Sequence, residues 1–212
     1  MFHYVYLNKK NNLIDIRLDV SITPYNFHQH MENLGLLNIL FIIAWELDIK
    51  YIKVNDITIG VGRRDNSSIT STAVGKLALG LNTTGSGNTA LGQLSMSSNT
   101  TGGFNSAAGS QSLGSNTTGS FNSAFGHGAL LSNVTGNNNT AFGYFALFYN
   151  IASNNSAFGI NSLRNNTTGT NNTAIGRDSL ITNTIGIDNT AIGLNSMYNN
   201  TTGSYNTAVG KN

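Results

Sequence analysis

The residues able to do chemistry are few and scattered. His28, His30 and Glu32 form the one cluster with metal-ligating or acid–base side chains. The pattern around them predicts a helix, on which side chains two apart do not share a face, so the cluster reads as a polar helix surface. His127 stands alone, and past residue 65 the only carboxylates are Asp178 and Asp188. No nucleophile–histidine–acid set and no carboxylate pair can be assembled from these. The absence of Cys excludes thiol catalysis, disulfides and Cys-based zinc sites. The glycine-rich words are not phosphate loops, because no Gly-Lys-Ser/Thr follows them and no helix opens behind them. The sequence therefore predicts no catalytic residue, no metal ligand and no cofactor, and the chain is not expected to be an enzyme. One other chemistry is on offer. Phe104, Phe121 and Tyr205, each just before a repeated Asn, are candidates for stacking a sugar or a base, or for a side-chain ladder or interface.

The scaffold behind these residues shows in the charge distribution. Fourteen of the twenty charged side chains fall in residues 1–65, leaving six for the remaining 147. A net charge of +2 is too small to predict a nucleic-acid or anionic-membrane partner by field alone. So long a stretch poor in charge calls for a search for repeats.

Words of the form Asn/Ser-Thr/Ser-Ala-apolar-Gly end at Gly75, Gly92, Gly109, Gly126, Gly143, Gly159, Gly176, Gly193 and Gly210, spaced 17 residues apart except for one spacing of 16. Midway sits a second word, Asn-Thr-Thr-Gly or a relative, as at 82–85 and 116–119. The short spacing has a visible cause, since the second word there has shrunk to Asn150-Ile151-Ala152-Ser153 before Asn154.

Seventeen residues are too few for the paired helices of helical repeats, whose periods run at roughly 33 to 47. Gly and Asn every few residues would also break a helix. Two short strands with two turns fit the length. Each repeat is then one coil of a parallel β-solenoid, stacked at about 4.8 Å per coil. Eight to nine coils are expected over residues 55–212. The recurring Gly serve positive-φ or crowded corners, and the Asn, also placed at corners, form ladders along the stack. Loss of one Asn from a ladder is expected to matter little, and a bulky residue at a corner Gly to matter more.

Successive strand residues point to opposite faces, so the Ala column (Ala73 to Ala208) and its large neighbour cannot both enter the core. With Ala and the Leu79-to-Met197 column filling a narrow interior, the neighbour lies outside. That column is Val74, Leu91, Phe125, Phe142, Phe158, Ile175, Ile192 and Val209, with Ala108 as its small member. An exposed apolar stripe of this kind predicts an interface, most simply with copies of the same chain. The opposite assignment, large residues inward and Ala outward, is the alternative.

The words Asn189-Thr190-Ala191-Ile192-Gly193 and Asp56-Ile57-Thr58-Ile59-Gly60 resemble the YadA-like head repeats of trimeric autotransporter adhesins. Similar repeats occur in phage tail fibres and in surface proteins of large DNA viruses. The resemblance spans about residues 55–212 and implies a left-handed β-roll assembled as a homotrimer, serving as a structural or adhesive rod on a virion or cell surface. The coil of 17 residues is longer than that family's usual unit. No stalk, membrane-anchor barrel or secretory signal is read in the sequence, which points to a virion or fibre component. Carbohydrate binding by the repeat surface is a second expectation. Ice binding through a ladder of Thr83, Thr100, Thr117, Thr167 and Thr201 is a third.

Residues 1–54 read as a small α/β cap or attachment domain. Ile14, Ile16, Leu18, Val20 and Ile22 alternate with polar residues, predicting a half-buried strand that forms a hairpin within 2–22. Thr23-Pro24 reads as a helix start, and a strand is expected at Ile49–Val54. The apolar run Leu36–Trp45 is too short to span a bilayer, which takes about 20 residues. The cap is expected to dock the rod onto another virion or surface protein. The Asn-x-Ser/Thr sequons at Asn82, Asn116, Asn133 and Asn200 follow automatically from the repeat word.

Overall fold

The computed structural model describes residues 5–10, 13–18, 51–54, 57–60 and 71–211. The chain divides into two compact units, Met1–Lys53 and Val54–Asn212. In the first, β1 (Val5–Lys10) and β2 (Leu13–Leu18) form an antiparallel hairpin in which Lys10 pairs with Leu13. The expected hairpin is present, with its strands running further into the Asn-Lys-Lys-Asn-Asn segment than the polar composition suggests. β3 spans Tyr51–Val54. The predicted helices, with His28, His30 and Glu32, lie outside the described residues.

The second unit is a parallel β-solenoid. Nine three-residue strands, β5 (Thr72–Val74) to β13 (Thr207–Val209), stack in sequence order, each in parallel register with the next. Ala73 pairs with Ala90, Ala90 with Ala107, and Ala157 with Ala174. β4 (Ile57–Gly60) belongs to the same sheet but runs antiparallel to β5, pairing Ile59 with Val74. The word at 56–60 is therefore not a coil; the parallel stack starts at Thr72, and β4 occupies the edge that β5 would otherwise present.

Each coil contains one strand, not two. The remainder is a chain of tight turns, such as Ala78 N to Gly75 O and Asn82 N to Leu79 O, at 3.2 and 3.1 Å. The turns are nonetheless laddered between coils, as in Leu79 N to Ser95 O (3.1 Å), Thr83 N to Thr100 O (2.9 Å) and Leu94 N to Lys76 O (2.8 Å). A second strand is ruled out by the backbone, because the apolar column itself sits in the left-handed region. Leu79, Leu113, Leu130 and Leu180 have φ of 50–53°. That conformation costs an ordinary residue about 1–2 kcal/mol, whereas full burial of a Leu contributes about 1.5–3 kcal/mol. Burial wins, narrowly, and so the position keeps Leu or Met.

The interior is narrow and half polar. The Ala column and the Leu/Met column are buried, as expected, apart from Ala208 and Met197 near the end of the stack, and between them run two columns of buried Asn. In one, Asn99 Nδ2 donates to Asn82 Oδ1 (2.8 Å) and to the carbonyl of Gly102 (3.0 Å). In the other, Asn105 Nδ2 donates to Gly119 O (2.8 Å), while its own N–H donates to Asn88 Oδ1 (2.9 Å). These Asn are at corners but point inward, and none adopts the left-handed backbone expected of corner Asn. They supply the hydrogen bonds that turn peptides closed off from water would otherwise lack.

Glycine is demanded for two different reasons. Gly92 has φ of +132°, and a Cβ there would lie 2.6 Å from the carbonyl oxygen of Gly109 in the next coil. At Gly85 the backbone is ordinary, but a Cβ would strike the Gly102 carbonyl and the Asn82 side chain.

Candidate functional site

The sheet directs alternate residues in and out, and its outer face carries the apolar column. Leu91, Phe125, Phe142, Phe158, Ile175 and Ile192 are each 37–42% exposed, while the Ala just before each of them is buried. Val209 in the last coil is 74% exposed, and Val74 and Ala108 are half-buried. Of the two assignments open in the sequence, the structure adopts Ala inside and the large residue outside. In the middle of the stripe the rings of Phe125, Phe142 and Phe158 stack at 4.5 and 5.4 Å, within 11° of parallel. Parallel register places identical side chains one coil apart, which is a stacking distance for aromatic rings.

Phe104 and Phe121 form a second stack, 5.4 Å apart and 4° from parallel, with exposures of 64% and 59%. Both adopt left-handed backbone, and the ring of Phe104 lies over Gly87, where a Cβ would come within 2.8 Å of it. Tyr205 belongs to the same column but is not brought to this pair. Asn138, Asn154, Asn171 and Asp188 fill the intervening coils, so Tyr205 stands about 24 Å from Phe121 at the coil spacing. The three aromatic residues cannot act as one stacking platform.

A third aromatic group has no counterpart among the residues singled out by the repeat. In the coil following Gly143, Tyr144, Phe145, Phe148 and Tyr149 pack ring against ring, with centroid distances of 4.0, 4.6 and 4.7 Å along the series. His127 lies against Tyr144 at 5.5 Å, and the Arg164 guanidinium sits over Phe145 at 5.3 Å. Tyr144 and Tyr149 are nearly half exposed, and Arg164 Nε is buried without a hydrogen-bond partner among the described residues. The signal is the Tyr144-Phe145-Ala146-Leu147-Phe148-Tyr149 run in the one shortened repeat, which period counting passes over.

The remaining polar candidates have local partners. Asp178 accepts from Arg177 Nε (3.0 Å) and Asn161 Nδ2 (2.9 Å), and Asp188 accepts from Asn171 Nδ2 (3.1 Å). Among the described residues no group of three or more His, Asp or Glu is placed to hold a metal ion, and no helix is long and apolar enough to cross a membrane. The Thr ladder is engaged within the rod: Thr83, Thr100, Thr117 and Thr167 donate their hydroxyls to a carbonyl one coil on, at 2.9–3.1 Å. Val134 and Ile151 interrupt it.

The fold and its outer face define a β-solenoid repeat protein. Compared with family models, curated proteins and solved structures, the chain finds no match.

Proposed function

We propose that this chain is a non-enzymatic structural or adhesive rod that assembles as a homotrimer on a virion or cell surface. The observation that carries the reading is the stripe from Leu91 to Val209, apolar in nearly every coil and left at about 40% exposure along the middle of the rod. An apolar strip that long and continuous is costly to keep in water and is best covered by a surface with the same repeat. Three copies around one axis would each bring this face inward, stacking Phe125, Phe142 and Phe158 against their equivalents. The resemblance of the repeat word to trimeric adhesin heads and viral fibres supports three rather than two. Residues 1–54 would serve as the attachment module to a neighbouring virion or surface protein. Native mass spectrometry or light scattering at micromolar concentration is expected to give a trimer, and a stable monomer overturns the reading. Proteomics of purified particles tests the location.

A second reading is favoured by one observation. The Arg164 guanidinium rests on Phe145 and Phe148 with no carboxylate partner among the described residues, beside the exposed Tyr144 and Tyr149. Aromatic faces beside an unpaired guanidinium suit an acidic sugar. Binding of carboxylated or sulfated glycans on an array, lost in Arg164→Ala and Tyr144→Ala, is the expected outcome; silence of the array removes this reading.

A further inference from the structure

The word that builds the coil is also, read as a linear motif, an acceptor for N-linked oligosaccharide. It satisfies Asn-x-Thr at Asn82, Asn99, Asn116, Asn133, Asn166 and Asn200. The folded coil uses those amides for something else. The first five are fully buried, and the sixth is half-buried in the last full turn. Asn116 Nδ2 donates both its protons, one to Asn99 Oδ1 at 2.8 Å and one to Gly119 O at 2.9 Å. Asn166 does the same, to Asn150 Oδ1 at 2.7 Å and Gly169 O at 2.8 Å.

Oligosaccharyl transfer forms a bond from Nδ2 to the sugar C1. It breaks the C1–O bond to the lipid pyrophosphate donor, and one Nδ2 proton leaves with the released pyrophosphate. A modified Asn116 would have one N–H for two acceptors, and a glycan rooted in a space closed to solvent. Transfer acts on unfolded chain, before the coils could close over their amides. A chain modified at these positions cannot then complete the stack. The exposed sequon asparagines Asn138, Asn154, Asn171 and Asn199 carry no such conflict.

We propose that this protein folds only where N-oligosaccharyl transfer does not occur, the repeat word itself barring the unfolded chain from a glycosylating secretory route. If the rod reaches an outer surface, it arrives already folded. The inference rests on the coil geometry and is independent of oligomeric state and of the proposed function.

The experiment expresses the full chain in cultured eukaryotic cells with and without an added secretion signal. The cytosolic form is expected to be soluble, unmodified and protease-resistant. The secreted form is expected to carry glycans at Asn99, Asn116 and Asn166 by mass spectrometry, and to be retained as protease-sensitive aggregate. A variant of the secreted form with Thr84, Thr101, Thr118, Thr135, Thr168 and Thr202 each changed to Val removes these sequons while keeping every Asn. These Thr are exposed and their hydroxyls make no hydrogen bond among the described residues, so the variant without the signal is expected to be soluble and protease-resistant in the cytosol, like the parent. It is expected to restore a secreted, protease-resistant rod with no glycan in the buried column, as is inhibition of lipid-linked donor synthesis with the parent chain. The proposal is overturned by a protease-resistant secreted parent, glycosylated at these positions or not. It is equally overturned if neither the variant nor the inhibitor rescues secretion.

Discussion

Asn150 donates its side-chain amide to Ala152 O at 2.8 Å, and the Oδ1 of Asn133 one coil before it is left buried with no hydrogen-bond partner among the described residues. Elsewhere along the column each amide reaches back to the preceding Oδ1, as from Asn133 to Asn116 (3.1 Å) and from Asn183 to Asn166 (2.8 Å). The missing rung coincides with the single 16-residue spacing. With one residue fewer in the turn, Ala152 takes the place that Gly136 holds one coil earlier, accepting from both Asn139 and Asn150 at 2.8 Å. The aromatic group of Tyr144, Phe145, Phe148 and Tyr149 lies in this same coil, where the polar ladder is weakest.

Restoring the turn should therefore stabilise the rod. Insertion of Thr between Ile151 and Ala152, together with Ala152→Gly, supplies the missing rung. A buried unsatisfied acceptor costs about 1–3 kcal/mol, and a gain of that order is expected as a raised denaturation midpoint in urea.

The two kinds of Asn should respond very differently to truncation. Asn116→Ala removes a side chain that donates twice and accepts from Asn133, and a loss of about 3 kcal/mol is expected. Asn199→Ala, at an exposed position with ordinary backbone, should change stability by no more than about 0.5 kcal/mol. Equilibrium urea unfolding of both variants checks the contrast. That outcome would make the ladder less tolerant than its repetition in the sequence suggests.

Glycines that look alike in the sequence should also part company. Gly92→Ala combines a left-handed strain with a clash against the Gly109 carbonyl, backbone that cannot step aside. Expression in inclusion bodies, or a stability loss of about 3 kcal/mol or more, is expected. Gly80→Ser should be close to neutral, because the nearest atom to a Cβ there is the Leu77 carbonyl oxygen at 3.2 Å and Ser97 already occupies the equivalent position. Circular dichroism melts of the two purified proteins decide it.

The stripe predicts a separable effect on assembly. Phe142→Asp with Phe158→Asp places two carboxylates on the outer face without touching the buried columns. The β signal in circular dichroism should persist while sedimentation velocity shows a monomer. If the double variant remains oligomeric, the stripe is not the interface.

The period, and with it the solenoid, is legible directly, because a word repeated nine times leaves few three-dimensional solutions. Strand alternation puts the Ala and Phe columns on opposite faces, the narrowness of the coil favours Ala inside, and the structure takes that choice. The hidden part lies where the backbone leaves the strand. Leu79 and its equivalents carry a left-handed φ that no helix or strand rule assigns to Leu, so a second strand is the natural expectation and the structure lacks it. Asn82 and Asn88 read as ladder residues, but polarity alone places them outside. Only the closure of the coil shows that they are its core. The Tyr144–Tyr149 group is obscured because its members occupy different columns of one coil, so no single column of the repeat displays them together. The strand at Ile57–Gly60 carries the repeat word but takes the opposite direction, which a five-residue match cannot reveal.

That reversed strand gives the rod a direction. Ahead of Thr72 the sheet is closed by a chain running the other way, whereas the later junctions, the shortened coil apart, repeat one mould from coil to coil. Genetic copying or loss of one whole unit beyond this point would lengthen or shorten the reach by about 4.8 Å and leave all other joints intact. The number of coils, and with it the length of the stack, is thus free to change in fixed increments on the side away from β4.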